Sequence, residues 1–311
     1  MTAARTRDDW QRQADALTFQ GQAFIDGRYV DAASGARYEC ISPIDGRVLV
    51  QVADADTTDV DRAVTAARRS FDAGDWSRAA PSHRKQVLLR LADLVEQHAD
   101  ELALLETLDM GKPVRDAREG DLAGVLRCLR WTAEAVDKVY GEVAPTALDT
   151  LGLITREPVG VVAVIVPWNF PLLMASWKIA PALAAGNSVV LKPSERSPLS
   201  AIRLAALVAE AGVPDGVFNV LPGHGERTGE PLALHMGVDA LAFTGSTAVG
   251  RRLLQCAGRS NLKRTWLECG GKSPNIVFAD APDLDRAAQA AATAIFYNQG
   301  EVCTAGSRLL V

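Results

Sequence analysis

The sequence predicts an α/β protein built on a doubly wound parallel sheet, and three observations support this class. Residues 159–166 read Val-Gly-Val-Val-Ala-Val-Ile-Val without a polar side chain, as expected of a strand covered by helices on both faces. Strands and helices alternate from this segment onward. The length of 311 residues, 48% hydrophobic and 23% charged, allows two domains and a large core. Together these features favour a Rossmann-like sheet, which binds ligands beyond the carboxyl ends of its strands.

The first third of the chain predicts short strands followed by helices. Asp26-Gly27 follows the apolar pair Phe24-Ile25, and Asp-Gly at such a position is a strong hairpin signal. A second Asp-Gly, within residues 43–46, precedes the apolar segment 48–52. Residues 58–140 have helical periodicity.

Three local signals organise this helical region. Thr58 and Asp61 have the spacing of a capping box with Asp in place of Glu. The segment 111–113, Gly-Lys-Pro, predicts the end of one helix and the start of the next. The apolar positions of one predicted helix lie on a single face, namely Leu88, Leu91, Ala92 and Val95.

The later part of the chain predicts the parallel sheet. Residues 141–157 are β-like and precede the buried strand at 159–166. Further strands are predicted at 188–191, 217–221 and 240–243, with a helix from about 198 to 211 between the first two.

Composition excludes several classes of function. The net charge of −5 and the lack of a Lys/Arg cluster argue against nucleic-acid binding. No apolar run is long enough to span a membrane, and the first ten residues do not resemble a signal or transit peptide. A cytoplasmic location is therefore expected. The five cysteines form no C-x-x-C pair and the four histidines are scattered, so neither a disulfide framework nor a metal site is predicted.

Two strand-to-helix turns supply candidate residues for a dinucleotide. Lys192 and Glu195 follow the strand at 188–191, where they could bond ribose hydroxyls, or they could belong to a solvated turn. The carboxylate would repel a 2′-phosphate, which favours NAD over NADP. Residues 243–246, Phe-Thr-Gly-Ser, could receive a pyrophosphate at a helix N-terminus or could simply cap that helix. The glycines at 223, 225 and 229 miss the usual G-x-G-x-x-G spacing.

Three further segments carry groups suited to carbonyl chemistry. Cys303 ends the segment NQGEVC, Glu268 precedes Gly270-Gly271 with one residue between, and Asn169 lies in PWNFP. A thiol nucleophile and a general base are parts of a covalent acyl-transfer or aldehyde-oxidising site. Each residue also has a structural alternative: a small buried cysteine, a surface turn at the glutamate, and packing with a turn at the asparagine.

The chain resembles the aldehyde dehydrogenase superfamily through five motifs in family order. They are PWNFP at 167–171, AAGNSVVLKPSE at 184–195, FTGST at 243–247, LECGGKSP at 267–274, and NQGEVC ending at Cys303. The resemblance implies the aldehyde dehydrogenase fold and NAD-dependent oxidation of an aldehyde to a carboxylic acid through a thiohemiacetal and a thioester. Cys303 would be the nucleophile, Asn169 the oxyanion donor and Glu268 the base.

The resemblance also implies the other members of the site. Lys178 looks like the lysine that the family places near the reacting centre, although a helix-surface lysine fits as well. The implied cofactor-binding residues are Ile165, Pro167, Trp168, Lys192, Ser194, Glu195, Gly225, Gly229, Phe243, Thr244, Gly245, Ser246, Val249 and Leu267.

Within the family, residues 86–145 and 156–204 look most like γ-glutamyl-γ-aminobutyraldehyde dehydrogenases of polyamine breakdown. The aldehyde tunnel would then be lined by Phe170, Leu173, Met174, Trp177 and Tyr297. The acids Asp116, Glu119 and Asp121 could attract an amine-bearing substrate, although a solvated helix face is the preferred interpretation.

The resemblance also implies a domain organisation. Residues 1–140 and 158–269 would form the NAD-binding domain, 141–157 a bridging and oligomerisation segment, and 270–311 the start of the catalytic domain. Family subunits continue beyond the cysteine and assemble as homodimers or homotetramers, so we expect a fragment or a truncated product. Two alternatives stay open: a non-catalytic NAD-binding relic that partners a full-length enzyme, and a CoA- or phosphate-dependent acylating enzyme. The latter lacks the glutamate, so Glu268 favours hydrolysis.

Overall fold

The structure is a computed structural model that describes residues 5–311. Within these residues the strands are β1 (Ala23–Ile25), β2 (Arg28–Val30), β3 (Arg37–Ile41), β4 (Val48–Ala53), β5 (Glu142–Ala144), β6 (Gly152–Ile154), β7 (Val161–Ile165), β8 (Ser188–Lys192), β9 (Phe218–Val220), β10 (Ala240–Gly245), β11 (Arg264–Cys269), β12 (Pro274–Ile276) and β13 (Arg308–Leu310).

The α-helices of the same residues are α1 (Arg7–Asp15), α2 (Thr57–Ala73), α3 (Pro81–Gln97), α4 (Ala99–Met110), α5 (Leu122–Ala135), α6 (Pro171–Ala184), α7 (Leu199–Glu210), α8 (Glu230–Leu234), α9 (Thr247–Arg259) and α10 (Leu284–Phe296). A short 3₁₀ helix lies at Val136–Lys138, a turn with non-helical backbone angles at Tyr297–Gly300, and π-helical turns at Asp116–Asp121 and Gly225–Gly229.

A seven-stranded sheet in the order β11-β10-β7-β8-β9-β1-β2 forms the centre of the fold. The five strands from β11 to β9 are parallel, and the β1–β2 hairpin adds an antiparallel edge. Ile165 pairs with both Lys192 and Phe243. The carboxyl ends of β7, β8 and β10 therefore lie side by side, and the predicted α/β class with a parallel sheet is confirmed.

Helices cover both faces of this sheet, as the all-apolar sequence of β7 predicts. Val162 and Val164 point into one buried cluster together with α3, α5, α6 and α7. Val161, Ala163 and Ile165 point into a second cluster together with α2 and α9. Because side chains alternate along a strand, a strand buried on both faces needs apolar residues at every position.

The β1–β2 hairpin confirms the Asp-Gly signal. Asp26 and Gly27 have φ angles of 55° and 77°, and two successive residues with positive φ give the type I′ turn that suits the twist of a hairpin. The second Asp-Gly lies in the turn between β3 and β4, which pair in antiparallel fashion.

The capping box predicted at Thr58 and Asp61 is wrong by two residues. The helix α2 begins at Thr57, and its capping box consists of Asp56 and Asp59. The Asp59 carboxylate is buried and also accepts hydrogen bonds from the Ala33 backbone N–H at 3.0 and 3.1 Å. This tertiary contact, which local spacing does not reveal, determines where the helix starts.

The helix signals further along are confirmed. The apolar face of α3, predicted from Leu88, Leu91, Ala92 and Val95, is fully buried. Gly111 ends α4 with a φ of 86°, in the left-handed conformation typical of a helix C-terminus.

Two acidic residues on α4 cap helices that are distant in sequence. Glu106 Oε1 accepts hydrogen bonds from the Leu172 N–H at 2.8 Å and the Ser200 hydroxyl at 3.3 Å. Asp109 Oδ2 accepts one from the Leu199 N–H at 3.0 Å. Both carboxyl groups are buried. They accept hydrogen bonds from backbone N–H groups in the first turns of α6 and α7. Such N–H groups have no acceptor within their own helix.

Burial raises the pKa of Glu106 from 4.5 to about 7. A carboxyl whose native pKa is raised binds its proton more tightly when folded. Its contribution to the free energy of unfolding is therefore largest at low pH and decreases as the pH rises from 4.5 to about 7.

Because glutamine does not titrate, we expect Glu106→Gln to gain stability relative to the wild type as the pH rises. The free energy of unfolding of Glu106→Gln relative to that of the wild type should increase by about 3 kcal/mol between about pH 4 and about pH 8. Urea unfolding at both pH values measures it, with the exposed Glu210→Gln as control. A difference in unfolding free energy that does not change with pH would contradict this prediction.

The segments 141–157 and 270–311 lie outside the central sheet. Strands β5 and β6 pair with each other, and Val143 and Leu153 on them are exposed. Strands β12 and β13 form a separate parallel pair, and α10 has no buried residue. The division of the chain into an NAD-binding domain, a bridging segment and the start of a catalytic domain stays a prediction.

Candidate active site

A cleft of about 970 Å³ opens where β7, β8 and β10 end. Most predicted cofactor residues line it, together with two of the three predicted catalytic residues. The lining residues named from the sequence are Ile165, Pro167, Trp168, Asn169, Lys192, Ser194, Glu195, Gly225, Gly229, Phe243, Thr244, Gly245, Ser246, Val249 and Cys303. Leu267 and Glu268 do not line it.

Lys192 and Glu195 form an ion pair in this cleft. Lys192 is only 4% exposed, and its Nζ donates to Glu195 Oε2 at 3.2 Å. The alternative of a solvated turn is therefore wrong for Lys192. Burial lowers the pKa of Lys192, while the Glu195 charge opposes that effect. Burial would raise the pKa of Glu195, but the charge and hydrogen bond of Lys192 together with a backbone hydrogen bond lower this pKa below its usual value. A donor and an acceptor thus lie side by side in the cleft, a pair that is suited to hydrogen-bond ribose hydroxyls.

The N-terminus of α9 faces the same cleft. Ser246 caps the helix, its hydroxyl accepting from the Val249 N–H at 3.3 Å. Gly245 allows the Phe243 ring to lie against the turn, because a Cβ there would be 2.5 Å from a ring carbon. The capping interpretation is therefore correct, and it leaves the positive end of a 13-residue helix dipole beside the cleft. A pyrophosphate fits such a position.

The structure adds basic and imidazole side chains to the cleft that the sequence motifs did not indicate. His224, Arg227 and Arg252 all line the cleft. His224 Nδ1 lies 3.0 Å from Asp54 Oδ1, and Arg227 also pairs with Asp54. His224 and Arg227 flank or lie within the π-helical turn Gly225–Gly229. In the sequence, only the irregular spacing of Gly223, Gly225 and Gly229 drew attention to this segment.

Asn169 connects the turn after β7 to the segment that carries Cys303. Its Nδ2 donates to the backbone carbonyl of Glu301 at 2.6 Å. In return, Asn298 Nδ2 donates to the Asn169 carbonyl at 3.1 Å and to the Glu301 carbonyl at 3.3 Å. Asn169 and half-buried Cys303 thus lie on one wall of the cleft although 134 positions (303 − 169) separate them.

The backbone before Cys303 has an unusual conformation. Asn298, Gln299 and Gly300 have φ angles of 49°, 60° and 81°. For the two residues that are not glycine, the left-handed region costs roughly 1–2 kcal/mol each. The buried Asn298 amide, bonded to Asn169 and Glu301, offsets part of this cost. Strain of this kind is often found at reactive sites.

Glu268 lies near Cys303 but outside the cleft. It is exposed at the end of β11, opposite Thr244 of β10. Just after it, the Gly271 N–H donates to the Cys303 carbonyl at 3.4 Å. Burial lowers the pKa of half-buried Lys178, and the charges of Glu268 and Cys303 oppose this shift. Glu268 and Cys303 are therefore both close enough to Lys178 to affect it. The surface-turn interpretation is correct about the exposure of Glu268 and wrong about the turn, because Glu268 belongs to strand β11.

The predicted tunnel residues on and around α6, and Tyr297, do not line the cleft. Phe170 and Met174 are buried, while Trp177 is 54% exposed. The rings of Phe170 and Tyr297 stack with centroids 6.4 Å apart. Leu173 lies close to the Gly124 backbone, since a Cβ there would be 2.8 Å from Leu173 Cδ1.

Asp121 corrects the solvated-face interpretation of the acidic group. It is 1% exposed and pairs with the buried Lys112, whereas Glu119 is exposed and Asp116 is half-buried. One of the three acids thus belongs to the core of the protein. A sequence feature near α4 is consistent with this burial. Glu106, Asp109 and Lys112 follow one another at a spacing of three within an apolar segment.

Among residues 5–311, no group of three or more His, Cys, Asp or Glu side chains is arranged to hold a metal ion. No helix in the same range has the length and apolar composition needed to cross a membrane.

Comparison with known proteins gives consistent matches. The aldehyde dehydrogenase family profile matches residues 29–311. The NADP/NAD-dependent aldehyde dehydrogenase PuuC of Escherichia coli K12 is 58% identical over 97% of this chain and 61% of its own length. The aminoacetaldehyde dehydrogenase of Pseudomonas aeruginosa is 49% identical over all of this chain and 63% of its own length.

Solved structures agree with these sequence matches. An indole-3-acetaldehyde dehydrogenase mutant of P. syringae, solved with NAD⁺ and IAA, has a TM-score of 0.98 and 62% identity over 99% of this chain and 62% of its own. The γ-glutamyl-γ-aminobutyraldehyde dehydrogenase of Burkholderia cenocepacia has a TM-score of 0.97 and 64% identity with the same coverage.

The chain spans about three fifths of the length of the curated relatives it matches. The resemblance deduced from the motifs is confirmed by the family match over 29–311. The chain belongs to the aldehyde dehydrogenase family.

Proposed function

We propose that this chain carries out NAD-dependent oxidation of an aldehyde to a carboxylic acid with Cys303 as the nucleophile. The observation that carries the proposal is the junction between Asn169 and the Cys303 segment, at 2.6 Å, on the wall of a cleft that also contains the Lys192–Glu195 pair. An amide donor, a thiol and a candidate ribose site thus share one cavity.

The chain's own residues account for the first half of the chemistry. The Cys303 thiolate attacks the carbonyl carbon and forms a thiohemiacetal. The Asn169 side-chain amide and the Cys303 backbone N–H stabilise its negative oxygen; losing one such donor typically costs about 10²–10³ in rate. NAD, when bound, supplies the hydride acceptor. Lys192, Glu195 and the α9 N-terminus would hold it.

The second half of the chemistry requires an activated water. Loss of hydride converts the thiohemiacetal to a thioester, which water must hydrolyse. Glu268 would remove a proton from that water, so that the acid is released and the thiolate is restored. Because Glu268 is exposed and outside the cleft, its side chain must turn toward Cys303 for this step.

An aminoaldehyde is the proposed substrate class. The aminoacetaldehyde dehydrogenase and the γ-glutamyl-γ-aminobutyraldehyde dehydrogenase support it by their similarity. Of the predicted tunnel residues, Trp177 and Tyr297 are 54% and 38% exposed and would provide apolar surface for the methylene chain of such a substrate. Discrimination by such surface is modest, about 10–200-fold for one methylene.

The proposed cofactor preference is NAD over NADP. The Glu195 carboxylate in the cleft would repel a 2′-phosphate. The E. coli relative is NADP/NAD-dependent. We therefore expect this chain to use NAD better than NADP but not to exclude NADP.

A homo-oligomer, a dimer or a tetramer, is the proposed assembly. The β5–β6 hairpin exposes Val143, Leu148, Leu151 and Leu153, which is more apolar surface than so short a segment usually leaves in water.

The proposed function is tested by incubating the 311-residue chain with NAD and a series of aldehydes that includes aminoaldehydes. We expect a rise in absorbance from NADH with turnover on the order of 10 per second. The exposed position of Glu268 favours a second candidate, a non-catalytic NAD-binding protein. NAD binding without any NADH formation would support that candidate and contradict the enzyme. An acyl-CoA or acyl phosphate product would instead indicate an acylating enzyme.

A further inference from the structure

We propose that the buried pair Lys112–Asp121 is a positioning element that holds the Asn169 turn and the Cys303 segment in a fixed relation. Neither residue lines the cleft, and neither is part of the motifs that identify the family here. Both are positioning residues rather than catalytic ones.

The pair is isolated from water. Lys112 is 0% and Asp121 1% exposed, and Lys112 Nζ bonds directly to Asp121 Oδ2. Taking two charges out of water is costly, and an apolar pair of similar volume would often be as stable. A role beyond stability therefore has to come from what else the two side chains contact.

Lys112 contacts the turn that carries Asn169. Its Nζ lies 4.1 Å from the centre of the Phe170 ring, within the range of a cation–π interaction. Phe170 directly follows Asn169 and precedes α6. Glu106, on the helix just before Lys112, bonds the Leu172 N–H in the first turn of α6. The turn is thus held from the α4 side at two points.

Asp121 contacts the segment that leads to Cys303. The Tyr297 hydroxyl donates to Asp121 Oδ1 at 3.4 Å, and the Tyr297 ring stacks on Phe170. The hydroxyl also lies close to the Gly120 backbone, because a Cβ there would be 2.8 Å from it. Tyr297 begins the turn with three left-handed residues and is six positions before Cys303.

The positive charge of Lys112 also acts on the Glu301 carboxylate. Burial raises the pKa of Glu301, and the positive charge of Lys112 opposes this. The backbone carbonyl of Glu301 accepts the Asn169 amide. One buried ion pair therefore reaches both partners of the Asn169–Glu301 junction, through Phe170 on one side and through Tyr297 on the other.

Two variants test the inference without removing a buried charge. Tyr297→Phe deletes the hydroxyl that bonds Asp121, and Gly120→Ala pushes that hydroxyl away. The matched controls are Tyr29→Phe, which loses a bond to the Ile202 carbonyl at 2.9 Å, and Gly258→Ala, where a Cβ meets nothing within 4 Å. Hydrogen exchange of the peptide covering 296–304 is measured by mass spectrometry, and kcat and KM are measured with the best aldehyde.

We expect exchange of this peptide to become at least about threefold faster in both variants and in neither control. We also expect kcat to decrease about 10-fold or more while KM stays within about twofold. Unchanged exchange of the peptide in both variants overturns the inference, and so does a loss confined to KM, which would assign Tyr297 to substrate binding alone. The measurement of kcat and KM rests on the proposed function, whereas the measurement of hydrogen exchange does not. An inactive wild type with faster exchange in the variants would reject the function and keep the inference.

Discussion

Cys303→Ala should abolish aldehyde oxidation, with a decrease in kcat of at least about 10⁴-fold. Without the sulfur no thiohemiacetal forms, so hydride has no tetrahedral adduct from which to leave. NAD affinity should stay within about threefold of the wild type, because Lys192, Glu195 and the α9 N-terminus are unchanged. NADH formation measures the first quantity, and quenching of Trp168 fluorescence in the cleft measures the second.

Cys269→Ala is the matched control for this experiment. Cys269 is an exposed thiol at the end of β11 and does not line the cleft, so its replacement should leave turnover unchanged. A Cys303→Ala protein that still reduces NAD at the wild-type rate would remove Cys303 from the mechanism. Equal loss in both variants would point to a general effect of cysteine replacement.

Glu268→Gln should separate the two halves of the reaction. Thiohemiacetal formation and hydride loss do not need the carboxylate, so one equivalent of NADH per chain should form rapidly. Hydrolysis of the thioester lacks its base, and steady-state turnover should decrease about 10²–10⁴-fold. Stopped-flow absorbance measures the burst, and intact-mass measurement detects the acyl group on Cys303.

The control for this variant is Glu210→Gln, an exposed carboxylate at the end of α7. It should behave as the wild type does, without accumulation of acyl-enzyme. Undiminished turnover of Glu268→Gln would contradict the assignment of the base. In that case Glu268 would remain exposed during the reaction, and another group would have to activate the water.

The parallel sheet and its two covered faces could be predicted because the governing signals are local. Each residue of β7 is apolar, and the alternation of its side chains then requires helices on both faces. The Asp26-Gly27 turn and the Gly111 helix end are also local, since a positive φ is a property of one or two residues.

The site was predictable as a set of residues and only partly as an arrangement. The motifs named many of the residues that line the cleft, because strands of a parallel sheet end at one edge. They did not indicate His224 or Arg227, which enter the cleft through an irregular turn. The position of the α2 cap was missed for a similar reason: Asp59 is fixed by a bond to Ala33, 26 residues away.

The sequence by itself determined the chemical groups available to this protein: a thiol, an amide, a carboxylate, and a lysine–glutamate pair after a strand. Only the tertiary structure decided which of them meet. It joined Asn169 to Glu301 across 132 residues, left Glu268 at the surface, and placed Asp121 in the core beside Lys112. The physical reason is that periodicity reports which face of an element is apolar, whereas these contacts depend on how whole elements pack, and a charged side chain gives no local sign of being buried with its partner.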